Sequence, residues 1–167
     1  MKKVVLLFLL AGFLITLSSC VTNRQYNFWQ DFPPAPFFYR YEINNVSVII
    51  DHVREESISW QVFTIAETNL KTRQQRYQIP GKTLFLEINV EQRSFMRNME
   101  MFNSIFVSFT ARDENEMVYI KVNEFISGRQ SFVVATEQNT IINRILNRIL
   151  DEQQRRYNDI QRYNRRG

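Results

Sequence analysis

The chain has 167 residues, of which 44% are hydrophobic and 14% aromatic, enough for one compact domain and too few for two. Its formal charge is +4, but Lys2 and Lys3 lie in an apolar leader, and the remaining 19 basic side chains face 17 acidic ones. A balance this close to neutral argues against nucleic acid as a partner.

Residues 1–19 have the parts of a secretory signal peptide. Two lysines precede an apolar run that ends at Leu17, and two serines then lead to Cys20. A permanent membrane helix is the alternative, but a run of about 14 apolar residues is short of the roughly 20 that span a bilayer. We therefore expect the leader to be removed.

The end of the leader, Leu17-Ser18-Ser19-Cys20, resembles the lipobox of bacterial lipoproteins. The resemblance implies cleavage before Cys20, a diacylglycerol thioether on its sulfur, and fatty acylation, such as palmitoylation, of the new amino terminus. Two or three acyl chains anchor a protein stably, because each buried methylene contributes about 0.8 kcal/mol. Cys20 is the only cysteine, so its lipidation would leave none for a disulfide, a thiolate nucleophile or a zinc site.

Residues 20–38 are predicted to be the lipidated amino terminus and a tether. Prolines at 33, 34 and 36 prevent a helix and favour a stiff, extended chain. Aromatic residues are unusual in a solvated linker, and this segment has several, including Trp29. They either pack back onto the domain or lie at the headgroup level of the membrane.

Residues 39–150 are predicted to form an α+β domain. A β-branched, alternating pattern predicts a strand over Tyr39–Asp51, and helical spacing of apolar residues predicts a helix over Ser57–Arg76. Within that helix, residues 60–65 also fit a strand. Alternation of apolar and polar residues predicts three more strands. These are Thr83–Phe95, Met99–Asp113 and Met117–Phe125.

Residues 113–116 are polar and predict a hairpin turn between the last two strands, with a calcium site as the alternative. A final helix is predicted over Glu137–Arg162, with Thr136 as its cap. It has one apolar stripe, made of Ile141, Ile142, Ile145, Leu146, Ile149 and Leu150. Residues 151–167 are predicted to be an Arg-rich extension of this helix.

The predicted order is β-α-β-β-β-α, which indicates a mainly antiparallel four-stranded sheet with two helices. Little in it points to catalysis. His52 is the only histidine and lies in a charged loop, the carboxylates show no metal-ligand spacing, and no glycine-rich phosphate loop is present. We expect no enzymatic activity, no cofactor and no metal.

Two features are candidate binding surfaces. The first is a set of aromatic residues on the second face of the strands, which either meet a covering helix or form an apolar groove for a lipid or a partner. The set is Phe85, Phe102, Phe106, Tyr119 and Phe125. The second is the basic carboxyl-terminal end with Arg155 and Arg156. It is either a solvated helix face or a contact for anionic headgroups or an acidic partner.

The order of elements, from the strand at 46–51 through 84–90 and the hairpin at 107–122 to the helix at 141–150, resembles two groups of lipoproteins. They are the small outer-membrane assembly lipoproteins of lipopolysaccharide insertion and the auxiliary lipoproteins of ABC transporters. The resemblance implies a non-enzymatic accessory protein on the periplasmic face of the outer membrane, with surface display as an alternative. Its implied partners are membrane lipids, through Cys20, and an outer-membrane or transporter protein. A carrier or sensor of a lipid-like ligand is the competing hypothesis.

Overall fold

The computed structural model describes residues 23–30, 39–74 and 82–165, which form a mixed six-stranded sheet and two helices. The strands are β1 (Asn23–Gln30), β2 (Arg40–Ile50), β3 (Val53–Arg54), β4 (Thr83–Arg97), β5 (Glu100–Arg112) and β6 (Val118–Gly128). The helices are α1 (Glu56–Gln74) and α2 (Ala135–Asn164). The strand order across the sheet is β1-β6-β5-β4-β2-β3.

The pairing of β2 with β4 is the one parallel pair among the described strands, with Val48 opposite Val90. Parallel pairing follows from the connection between the two strands. The helix that joins them brings the chain back to the end of the sheet where β2 began, so that β4 runs in the same direction as β2. All other described pairs are antiparallel. The predicted α+β class is confirmed, whereas the prediction of four strands is wrong: β1 and the two-residue β3 were not predicted.

The core lies between the two helices and one face of the sheet. α1 buries Ile58, Val62, Ala66 and Leu70, which are four residues apart and therefore lie on one side of the helix. The helix prediction is confirmed, and the alternative strand at 60–65 is wrong. The predicted stripe of α2 is buried in the same core. From the sheet it meets Leu84, Leu86, Ile88, Val90, Ile105, Val107, Phe109, Ile120, Val122 and Ile126.

The start of α2 differs from the prediction that Thr136 is its cap. The helix begins at Ala135, and the carbonyl oxygen of Val134 accepts a hydrogen bond from the backbone N–H of Gln138 at 3.1 Å. Just before it, Phe132 is fully buried, and its carbonyl oxygen accepts a hydrogen bond from the Gln138 side chain at 2.9 Å. The chain therefore enters α2 with the Phe132 ring in the core and the Phe132 carbonyl bonded to the first turn of the helix.

β1 lies within the segment that was predicted to be a tether. Its backbone pairs antiparallel with β6, from Asn23 opposite Ser127 to Gln30 opposite Ile120. The backbone of residues 23–30 therefore belongs to the sheet as an edge strand. The proline-rich residues 31–38 and everything before Asn23, including Cys20, lie outside the described residues.

At the opposite edge of the sheet from β1, side chains of α1 cover the backbone of β2 at two points. The Gln74 amide accepts a hydrogen bond from the Tyr41 N–H at 3.2 Å and donates one to the Tyr41 carbonyl oxygen at 3.1 Å. The Ser59 hydroxyl accepts a bond from the Val48 N–H at 3.1 Å. These bonds occupy backbone groups that an added strand would use.

Candidate interaction surfaces

The face of the sheet turned away from the helices, the outer face, carries the side chains that alternate with the core positions. Phe85 on β4 and Phe106 on β5 are 36% and 41% exposed, so neither helix covers this face. Phe125 on β6 stands opposite Phe106 and is half-buried. Three of the five predicted aromatic residues therefore lie on an open sheet surface.

Charged side chains separate these aromatic rings. Glu91 stands opposite Phe106, and Arg112 stands opposite Phe85. Glu87 lies between the two phenylalanines along the sheet and approaches Arg112 at 3.8 Å. The outer face is thus a mixed surface, in which apolar side chains alternate with charges and are not gathered into a continuous groove.

Residues 93–102 of β4 and β5 extend past the other strands as a two-stranded projection, the ribbon. β2 ends opposite Gln92, and β6 ends opposite Asn103, so no described strand flanks the ribbon. The fourth predicted residue, Phe102, lies here and stacks on Phe95 across the ribbon, with ring centroids 6.1 Å apart. The Arg129 guanidinium lies 5.9 Å from the centre of the Phe102 ring.

The ribbon also exposes a cluster of large apolar side chains that the sequence analysis missed. Phe95, Met96, Met99 and Met101 are 42%, 65%, 96% and 56% exposed. Asn98 and Met99 form the turn with φ angles of 52° and 63°, as in the tight mirror-image turns that suit hairpins. The available signal was local composition, because three of the five methionines of the chain fall within six residues.

Tyr119, the fifth predicted aromatic residue, does not lie on the outer face, so the prediction that it belongs to this surface is wrong. The register of β5 and β6 shifts at this position, since Ala111 faces Ile120 and Arg112 faces Val118. Tyr119 is skipped by the pairing and is buried, with 8% of its surface exposed.

The Tyr119 hydroxyl instead belongs to a polar cluster at the turn between β5 and β6. Asp113 accepts hydrogen bonds from Lys82 Nζ at 2.6 Å and from the Tyr119 hydroxyl at 3.2 Å. The hydrogen bond from Lys82, followed by the backbone N–H groups of Met117 and Asn115, lowers the pKa of Asp113 to about 2. Asp113 in turn raises the pKa of Lys82. The carboxylate is fully engaged in closing the turn, which assigns it a structural role.

The Arg-rich end of α2 lies on the helical side of the domain, away from the outer face. Gln153, just before the Arg-rich end, is buried in the core. Its side chain accepts a hydrogen bond from the Tyr41 hydroxyl at 2.7 Å. Arg155 is exposed and pairs with Glu152 at 2.8 Å, and its pKa is raised chiefly by that hydrogen bond. The side chain of Arg156 lies outside the described residues.

A groove of about 510 Å³ runs between α1 and α2 and is lined mostly by threonine and asparagine. Within it the Asn69 side chain donates a hydrogen bond to Asn143 Oδ1 at 2.8 Å. Arg73, at one end, is paired with Asp151 at 2.8 Å. The lining offers amide and hydroxyl groups that suit polar contacts, and it contains no general base or nucleophile pair.

The residues weighed for chemistry lie apart from one another. His52 is exposed in the turn between β2 and β3, and Glu116 pairs with Arg112 at 3.1 Å. Among residues 23–30, 39–74 and 82–165, no three histidine, cysteine or acidic side chains form a cluster that could hold a metal ion. Within the same residues, neither helix has the length and apolar character needed to cross a bilayer.

No protein-family model and no curated protein matches the chain. Among solved structures, it is similar to a PelC dodecamer from Paraburkholderia phytofirmans, with 14% sequence identity and a TM-score of 0.41, over 74% of this chain and 96% of the other. A variant PelC dodecamer from the same organism gives 8% identity and a TM-score of 0.38, over 75% and 95%.

Proposed function

We propose that this chain is a bacterial lipoprotein, anchored by lipids on Cys20, whose domain is a non-enzymatic accessory protein that binds a membrane-protein partner in the cell envelope. In this proposal it lies on the periplasmic face of the outer membrane. The observation that carries the partner-binding part is the position of the Arg-rich helix end relative to the residues nearest the anchor.

That position follows from the strand register. Asn23, three residues after Cys20, lies at the end of the sheet where β6 finishes with Ser127 and Gly128. α2 begins near this end and runs to the opposite one, where the Gln153 amide donates a hydrogen bond to the Tyr39 carbonyl oxygen at 3.0 Å. An anchored domain would therefore hold Arg155 away from its own membrane.

This placement favours a protein over lipid headgroups as the ligand of the Arg-rich end. Attraction to an anionic membrane surface falls off within a Debye length, about 8 Å in physiological salt. Beyond Gln153, α2 continues for 11 residues to Asn164, or about 16 Å at 1.5 Å per residue. The extension carries arginines, which pair well with carboxylates of an acidic partner.

A photo-crosslinking experiment in the native bacterium tests this proposal. A photoreactive amino acid at Arg155 should give a discrete product with a membrane protein. The matched control is Thr140, which is exposed on the same helix but near the end of the sheet where Asn23 lies. Absence of a product at Arg155, together with a detergent-solubilised protein that runs alone, would contradict the accessory function.

The anchor is tested separately with Cys20→Ala. The variant should accumulate as a larger precursor that incorporates no labelled fatty acid, because both processing and acylation need the cysteine. Unchanged mobility and an unchanged lipid label would refute the anchor.

A carrier of a lipid-like ligand is the second candidate, favoured by the exposed rings of Phe85 and Phe106 on the outer face. It predicts a stoichiometric, extractable lipid on the purified protein, lost in a Phe85→Ser/Phe106→Ser variant. Purified protein without such a lipid would rule out this carrier. Ligand sites usually bury most of the ligand surface in a concave pocket, so the mixed, open face is weaker support than the position of Arg155.

A further inference from the structure

The ribbon and the amino-terminal end of β1 lie at the same end of the sheet. Asn23 stands opposite Ser127, Ser127 opposite Ser104, and Ser104 opposite Arg93, so these four residues form one row across four strands. The ribbon begins at this row and continues outward to its turn. The predicted anchor and the exposed apolar cluster are therefore brought to one side of the molecule.

The short stretch of chain between Cys20 and Asn23 allows Cys20 and the tip of the ribbon to reach the same membrane surface. Asn23 is the third residue after Cys20, and three residue steps span at most about 11 Å when fully extended. From Arg93 to Arg97 the ribbon rises by four residues at about 3.3 Å each, or about 13 Å, before its turn. The lengths are similar, so acyl chains on Cys20 and the tip of the ribbon can reach the same plane.

The ribbon carries exposed apolar side chains on both of its faces, unlike the sheet behind it. Side chains alternate along a strand, so the Phe95–Phe102 pair lies on one face and the Met96–Met101 pair on the other. Phe95, Met96 and Met101 are all more than two-fifths exposed, so the core covers neither face. A flat protein surface would bury only one face, whereas lipid would surround both.

The polar groups of the ribbon limit how deeply it can insert into a bilayer. Arg97 stands opposite Glu100 beside the turn, and the Arg129 guanidinium donates a hydrogen bond to the Glu100 carboxylate there. The outer edges of a two-stranded ribbon also carry backbone groups that need water or headgroups as partners. Such an element is suited to the boundary between headgroups and acyl chains, where amphipathic elements bind.

We infer that the ribbon is a second membrane contact, which inserts Phe95, Met96, Met99 and Met101 into the interfacial region of the bilayer that holds Cys20. The inference rests on the proposed anchor and deepens it. Because the anchor makes the second contact intramolecular, the ribbon needs only weak intrinsic affinity. Two separate contacts would hold the domain in one orientation, with the outer end of α2 directed away from the lipid.

The test uses the acylated, full-length protein in vesicles of phosphatidylethanolamine and phosphatidylglycerol. Lipidation consumes the only cysteine, so Met99→Cys introduces a single thiol for an environment-sensitive fluorophore. Met117→Cys is the matched control: Met117 is also an exposed methionine, 59% against 96%, but it lies at the opposite end of the sheet. Met101→Cys, on the ribbon beside Met99, provides a second labelling site.

Labels at positions 99 and 101 should shift their emission to the blue and be quenched several-fold more than the label at 117 by lipids with a doxyl group near the headgroup end of the chain. A doxyl group at the chain terminus should quench them less, because the contact is interfacial. A label at 99 that is no better quenched than the label at 117 would overturn the inference, and this is also the result expected if the ribbon docks on a protein.

The same preparation separates this inference from the anchor. If the unsubstituted protein takes up the thiol reagent, Cys20 is not acylated, and both the anchor and the inference are overturned. If it takes up none and the label at 99 stays unquenched, the anchor stands and only the second membrane contact is contradicted.

Discussion

Replacing Phe132 by alanine is expected to destabilise the domain by about 3–5 kcal/mol. The ring is fully buried in the connection between β6 and α2. Burial of a phenylalanine side chain contributes about 1.5–3 kcal/mol by transfer from water, and the cavity left by the ring brings the cost of truncation to about 3–5 kcal/mol.

The neighbouring hydrogen bonds place the expected cost toward the upper part of this range. The Phe132 N–H donates to Gln92 Oε1 at 2.6 Å, and its carbonyl oxygen accepts from Gln138 Nε2 at 2.9 Å. Both glutamines are themselves buried. Since the backbone is held on both sides, the connection cannot move inward to fill the cavity, and collapse is what lowers the cost of such substitutions.

Thermal unfolding of the purified full chain, followed by circular dichroism, measures the effect. For a protein of this size each kcal/mol lowers the melting temperature by about 2–4 °C, so Phe132→Ala should lower it by roughly 6–20 °C. Val133→Ala is the control, because Val133 is 55% exposed and should change stability by less than about 0.5 kcal/mol. A Phe132→Ala protein as stable as the control would refute the role of the ring in the core.

Three further predictions concern buried polar groups. Gln153→Leu should lower the free energy of unfolding in urea by about 1–3 kcal/mol, because it leaves the buried Tyr41 hydroxyl without its acceptor. Adding Tyr41→Phe should restore part of this loss. Strictly additive losses in the double variant would contradict the prediction. Arg144→Met should lower the free energy of unfolding by about 3 kcal/mol, because it leaves the buried Glu124 carboxylate unpaired. The double variant Glu124→Leu/Arg144→Met should be close to wild type in stability. Equal losses in the single and double variants would be inconsistent with this account. The folded pKa of Asp113 lies below its unfolded value, so its contribution is complete above about pH 4 and is lost as the pH falls toward 2. Asp113→Asn should flatten the fall in stability over that window, and an unchanged slope would count against the assignment.

Most of the α+β fold could be predicted from local patterns. The alternation in β4, β5 and β6 and the spacing of apolar residues in α1 and α2 each encode which side of an element is buried, and the core confirms them. The strand β1 could not be predicted this way. Its sequence, NRQYNFWQ, lacks a period-two pattern. It is a strand because its backbone pairs with the free edge of β6.

The candidate surfaces were less predictable, for two physical reasons. Tyr119 leaves the outer face because of a register shift at Ala111 and Arg112, which depends on how two strands meet and not on either strand alone. The exposure of Met96, Met99 and Met101 depends on β4 and β5 being longer than their neighbours. A methionine in a strand looks the same in sequence whether or not another strand lies beside it.

The hydrogen bonds between the edge of β2 and the side chains of Gln74 and Ser59 also limit how copies of this domain can assemble. A sheet with two open edges can add a partner at each and grow into a filament, whereas a sheet with one blocked edge can join at most one partner by strand pairing, which ends in a closed pair. Because the blocking groups come from α1, the helix that covers the core also protects this edge of the sheet from pairing with another copy of the domain.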